Sequence, residues 1–103
     1  MKGISIIQAI EFIPSIPKDN IIPDSHAKLR CNQRNISKDW VKECIIDKII
    51  VGILKQNKYK FKLYYEHPGK SNKDLIIVIV INSFSNIILV ETVFEQDKKR
   101  RAR

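Results

Sequence analysis

The spacing of apolar side chains changes once along this chain, close to Asp47. Between Pro23 and Asp47 they recur at intervals of three and four, the period of a helix with one buried face. Beyond it they recur at intervals of two, or without interruption, as strands do. The helical stretch divides at Ser37. Asp24 and Ser25 can start a first helix running to about Arg34, and Asn35 tolerates the left-handed backbone of a helix end. Ser37 is a favoured N-cap, and Ile36 before it can close onto Val41 as a hydrophobic staple. The second helix then runs from Lys38 to about Asp47. It turns Trp40, Val41, Cys44 and Ile45 to one face and Asp39, Lys42, Glu43 and Asp47 to the other.

Four strands are predicted after it. Lys48 to Lys55 is rich in β-formers, with Gly52 a candidate bulge or bend. From Lys58 to Glu66 the alternation is regular: Tyr59, Phe61, Leu63 and Tyr65 on one side, Lys58, Lys60, Lys62 and Tyr64 on the other. His67 to Asp74 is turn chemistry throughout and predicts a hairpin loop. Leu75 to Ile81 is apolar at every position, as in a strand buried on both faces. Ser83 to Asn86 turns the chain, and Ile87 to Phe94 returns as the last strand.

At the N-terminal end the isoleucines fit both periods, so Ile4 to Ile13 reads as an extended arm or a short helix. Pro14, Pro17 and Pro23 exclude a continuous helix up to Asp24. The expectation is an arm over residues 1–23 lying against the sheet, an α+β domain over 24–95 and a basic tail over 96–103. In that domain two helices pack on one face of a four-stranded antiparallel meander.

The 103 residues carry a formal net charge of +8. Five of those charges, Lys98, Lys99, Arg100, Arg101 and Arg103, stand together in the tail, so the rest of the chain is only mildly basic. That balance leans toward a polyanion such as nucleic acid and equally serves solubility. The longest apolar run, Leu75 to Ile81, is far short of the roughly 20 residues that span a bilayer. Gln8, Glu11, Pro14 and Pro17 break any secretory-signal pattern. Cys31 and Cys44 fall among apolar neighbours on the two helices, which fits reduced, buried thiols in a cytoplasmic protein.

One constellation carries candidate chemistry. His26, Arg30 and Arg34 are four residues apart and form a cationic ridge along the first helix. The segment His26-Ala27-x-x-Arg30-x-x-x-Arg34-Asn35-Ile36-Ser37 resembles the motif His-Ala-x-x-Arg-x-x-x-Arg-Gly-Ile-Ser/Thr, which opens a family of small domains. That family is grouped with the barnase–EndoU–colicin–RelE superfamily of metal-independent ribonuclease toxins. Thr92-Val93-Phe94 is similar to the Thr-Val-Tyr that often ends its last strand. Asn35 replaces the usual glycine, and Phe94 replaces a tyrosine, which removes a phenol. The resemblance implies a RelE-like fold, RNA as substrate and an acidic antitoxin as partner. It implies kinship of fold, and fold does not fix activity.

Metal-independent RNA cleavage needs a base, an acid and cations at the phosphate. His26, in the first turn of its helix, is the candidate base or acid, with Arg30 and Arg34 as phosphate clamps. Lys58, Lys60, Lys62 and Tyr64 would extend the RNA-binding surface, together with Lys99, Arg100 and Arg101. Plainer roles stand beside these. His26 could cap or edge the core near Asp24, the arginines could bridge to Glu43, Glu66 or Glu91, and the strand lysines could be a wet sheet face. Glu66-His67 could supply a second acid–base pair. A zinc site from His26, Cys31, Cys44 and His67 has the wrong spacing, and no cofactor motif is present. The expectation is a small RNA-binding domain, possible as a metal-independent endoribonuclease. The alternatives are a non-catalytic nucleic-acid- or protein-binding module and a homodimeric structural domain.

Overall fold

The computed structural model of the chain describes residues 3–34, 36–67 and 69–98. Three helices, α1 (Ile6–Phe12), α2 (Ser25–Gln33) and α3 (Lys38–Asp47), accompany five strands. These are β1 (Ile21–Pro23), β2 (Gly52–Lys55), β3 (Lys60–Glu66), β4 (Lys73–Asn82) and β5 (Ile87–Asp97), in the sheet order β1-β5-β4-β3-β2.

The helix pair begins where its capping residues place it. Asp24 Oδ1 accepts from the Ala27 amide at 2.9 Å, and Ser37 Oγ accepts from the Trp40 amide at 3.3 Å. Strands β2 to β5 form the expected antiparallel meander. The expected sheet of four antiparallel strands under two helices is otherwise corrected, because residues 3–23 contribute two further elements. A capping box starts α1: Ser5 Oγ accepts from the Gln8 amide at 3.1 Å, and Gln8 Oε1 accepts from the Ser5 amide at 2.9 Å. A 3₁₀ turn over Ile13–Ser15, with Pro14 inside it, ends that helix. Strand β1 then pairs in parallel with β5, Ile21 opposite Ile88, which makes the sheet mixed. Its Pro23 is tolerated because β1 is an edge.

One face of the sheet carries the core. Phe61, Leu63 and Tyr65 of β3, Leu75, Ile77, Ile79 and Ile81 of β4, and Ile88, Val90 and Val93 of β5 meet Ala27, Cys31, Val41, Cys44 and Ile45 of the helices. Strand β4 is buried on both faces from Leu75 to Ile79, as its uninterrupted apolar run predicts. Two details differ from expectation. Residues 48–51 precede the ladder, which begins at Gly52. The irregularity lies in β5 and not at Gly52: Val78 pairs with Thr92 but Ile79 with Val90, so Glu91 is an extra residue. Before it the even positions Ile88 and Val90 face the helices; after it the odd positions Val93 and Glu95 do.

Candidate functional site

Where α2 passes into α3, the chain crosses the end of the β3–β4 hairpin. A cleft of about 480 Å³ opens there, lined by Arg34, Ser37, Trp40, His67, Lys70 and Glu95 with Ile36 and Leu75. Each side chain is delivered by a local feature. Arg34 is the C-terminal residue capping α2, Ser37 is the N-cap of α3, and Trp40 is half-buried in the first turn of α3. His67 and Lys70 belong to the hairpin loop. Glu95 faces this side because of the bulge at Glu91, directly opposite Leu75.

The polar groups interlock. Glu95 Oε2 lies 2.8 Å from His67 Nε2, and Lys70 Nζ donates to Glu95 Oε1 at 2.9 Å. The Gly69 amide donates to His67 Nδ1 at 3.0 Å. An Nδ1 that accepts leaves the proton on Nε2, so a neutral His67 donates to Glu95. The Lys70 hydrogen bond, against the cost of partial burial and with His67 helping, holds the Glu95 carboxyl below the usual carboxylate range. Arg34 is exposed and forms no ion pair among the described residues. Two cations and one carboxylate therefore share the cleft beside the positive end of a ten-residue helix.

The ridge on α2 divides. Arg34 lines the cleft, whereas His26 is exposed two turns earlier and Arg30 half-buried one turn earlier. Arg30 Nε donates to His26 Nε2 at 3.5 Å, so those two groups address each other. Neither bridges to Glu43, Glu66 or Glu91; Glu43 meets Lys18, Glu66 meets Lys98 and Glu91 meets Lys60.

The strand residues named from sequence lie on the opposite sheet face. Lys60 Nζ pairs with Glu91 at 2.8 Å. Lys62 Nζ lies 5.4 Å from the centroid of the Tyr64 ring and 5.5 Å from that of Phe94. Tyr64 is only 2% exposed, so its ring offers no open stacking surface as it stands. Lys58 is exposed in the β2–β3 turn. Asn35, Lys99, Arg100 and Arg101 lie outside the described residues.

Cys31 and Cys44 are buried in the core and unpaired, and burial pushes the Cys44 thiol up to about 12. They do not converge with His26 or His67, and the described residues hold no cluster of metal-ligating side chains. No helix among the described residues is long and apolar enough to cross a membrane.

Sequence reasoning named Arg34 and His67 but not their meeting, and it missed Glu95 and Lys70. The signal for Lys70 was its place two residues beyond a turn-forming proline; Glu95 had none, because the bulge that turns it inward is set across strands.

No curated protein and no solved structure matches the chain. A family model does match, over residues 8–79, a span that takes in most of α1, β1, the helix pair, β2, β3 and most of β4. By that match the chain belongs to the MJ0788 family.

Proposed function

We propose that the chain is a small RNA-binding domain whose cleft between α2, α3 and the β3–β4 hairpin seats a phosphodiester and an adjoining base. The observation that carries this reading is the convergence of Arg34, Lys70, His67 and half-buried Trp40 on one open cleft. A guanidinium clamps phosphate oxygens through two N–H groups, an ammonium adds a point charge, and an indole offers a stacking face. The overall charge of +8 steers a polyanion toward it. The likeness to RelE-type toxins supports RNA in particular, since the matching motif includes Arg34 and Ser37, which line the cleft. An acidic antitoxin would compete for the same two cations.

A second reading, metal-independent cleavage, is favoured by the His67–Glu95 pair. In that chemistry the carboxylate takes the proton of the 2′-hydroxyl and the 2′-oxygen bonds to phosphorus. The bond to the 5′-oxygen breaks, and that oxygen takes a proton from an imidazolium. In-line displacement puts acid and base on opposite sides of phosphorus, whereas these two groups lie 2.8 Å apart with both ring nitrogens and both oxygens engaged. Binding therefore ranks above turnover. His26, two turns up the same helix, is the other acid–base candidate, with Arg30 between it and Arg34 as a further phosphate clamp.

The test is anisotropy of a labelled single-stranded RNA at about 50 and about 200 mM salt, beside gel analysis of the same RNA in EDTA. Binding that weakens with salt and with Arg34→Ala supports the proposal, and no binding at low salt overturns it. Cleavage in EDTA that His67→Ala or His26→Ala abolishes would make the chain an enzyme.

A further inference from the structure

We propose that the chain forms a two-fold dimer through the outer edge of β2, with the isoleucine groove beside that edge covered by the second copy. The two ends of the sheet are unlike. Strand β1 has three residues and a proline, which blunts it. Strand β2 carries no proline, and no described strand lies outside it. Next to it a groove of about 560 Å³ runs between α1, the end of α3 and residues 48–53. Ile6, Ile10, Ile45, Ile49 and Ile53 help to line it, and Lys48 is its one charged lining residue among those described.

Among the described residues, exposed large hydrophobics cluster at this end, while Ile22, Leu29 and Phe84 stand apart from it. Ile49 is 82% exposed and Ile7 72%, with Ile10, Leu54 and Ile6 between 38% and 45%. Together they leave on the order of 500 Å² of apolar surface open, so a symmetric pairing would bury about 1,000 Å², where specific interfaces begin. The patch also fits itself. It holds a projecting side chain, Ile49, next to a groove of the same chemistry, the arrangement that an isologous contact needs.

Strand register permits the pairing. A two-fold axis normal to the sheet joins β2 to its copy antiparallel and keeps the helix-covered faces on one side. Registers centred on Ile53 or Leu54 satisfy this and set Lys55 opposite Val51 or Ile53, so no like charges meet. Helix α1, which packs beside β2 in each copy, then meets its counterpart through Ile6 and Ile10.

Sedimentation velocity of the full chain from about 1 to about 100 µM tests the proposal. The expected mass is twice the 12.0 kDa of one chain. Ile49→Asp, at a site too exposed to unfold the monomer, should raise the dimer Kd by about tenfold or more. Amide exchange over residues 52–55 should slow with concentration in the parent and stay fast in the variant. A chain that remains monomeric at about 100 µM overturns the proposal. So does a dimer that Ile49→Asp leaves intact with β2 amides unprotected, or a monomer that instead floats with phosphatidylcholine vesicles.

Discussion

His67 and Glu95 are joined at 2.8 Å from a hairpin loop and a final strand, and the Gly69 amide on Nδ1 fixes which imidazole nitrogen donates. Lys70 completes the set on the other carboxylate oxygen. The carboxylate is thereby a hinge between two functions: it orders the hairpin and lowers the positive field of the cleft.

Glu95→Gln separates those functions. The Glu95 pKa is lowered on folding, so its contribution is complete above the ordinary glutamate range and is lost as pH falls through the lowered value. The variant should be less stable than the parent by about 1 kcal/mol near neutrality, with the gap closing in acid. Thermal melts from about pH 7 to about pH 3 check this. The same substitution removes an anion from the cleft, so RNA affinity should rise rather than fall.

The two cations are expected to behave as phosphate contacts. Arg34→Ala and Lys70→Ala should each weaken RNA binding by about tenfold at low salt and reduce the salt slope by about one. Arg34 is exposed and makes no ion pair among the described residues, so its variant should melt near the parent. Lys70→Ala loses the bond to Glu95 and should share part of the Glu95→Gln destabilisation. Titrations at three or more salt concentrations give both quantities.

Neither thiol should react in the native state. Desolvation raises both cysteine pKa values, Cys44 to about 12, and both side chains are buried. Mass spectrometry after iodoacetamide near pH 8 should find an unmodified chain, and two additions after treatment in guanidinium.

Tyr65 offers a stabilising change. Its hydroxyl is buried and finds no hydrogen-bond partner among the described residues. An orphan hydroxyl costs about 1–3 kcal/mol. Tyr65→Phe keeps the ring and removes that cost, so the variant should melt at the same temperature or above the parent, by about 1 kcal/mol in denaturant titration.

Much of this architecture is written in short-range signals. Asp24 and Ser37 announce the helix pair through capping, and the alternation of β3 and the unbroken apolar run of β4 survive intact in the sheet. Helix α1 was ambiguous because isoleucines at 4, 6, 7, 10 and 13 suit either period; its resolving signal is the Ser5–Gln8 capping box, which periodicity overlooks. Strand β1 had no local signal. Three residues ending in a proline become a strand only because β5 has a free side that receives the Asp24 amide at Val90 O. The fates of Lys60 and Lys62 were equally illegible, since Glu91 and Phe94, their partners across the sheet, are more than thirty positions away in sequence for one and about as far for the other. Arg34 was visible as one step of a ridge, but its company in the cleft was not.

The extra residue in β5 gives the strand an unusual tolerance of miscounting. Removing Glu91 alone would restore even spacing and leave everything after it on its present side, with Val93 still opposite Ile77 and Glu95 still opposite Leu75. A frame-preserving loss of that codon would thus keep the cleft's carboxylate in place and remove only the ion pair that Glu91 makes with Lys60 on the far face. The bulge therefore absorbs the loss of one residue, where in a regular strand the same loss would turn every later side chain to the other face.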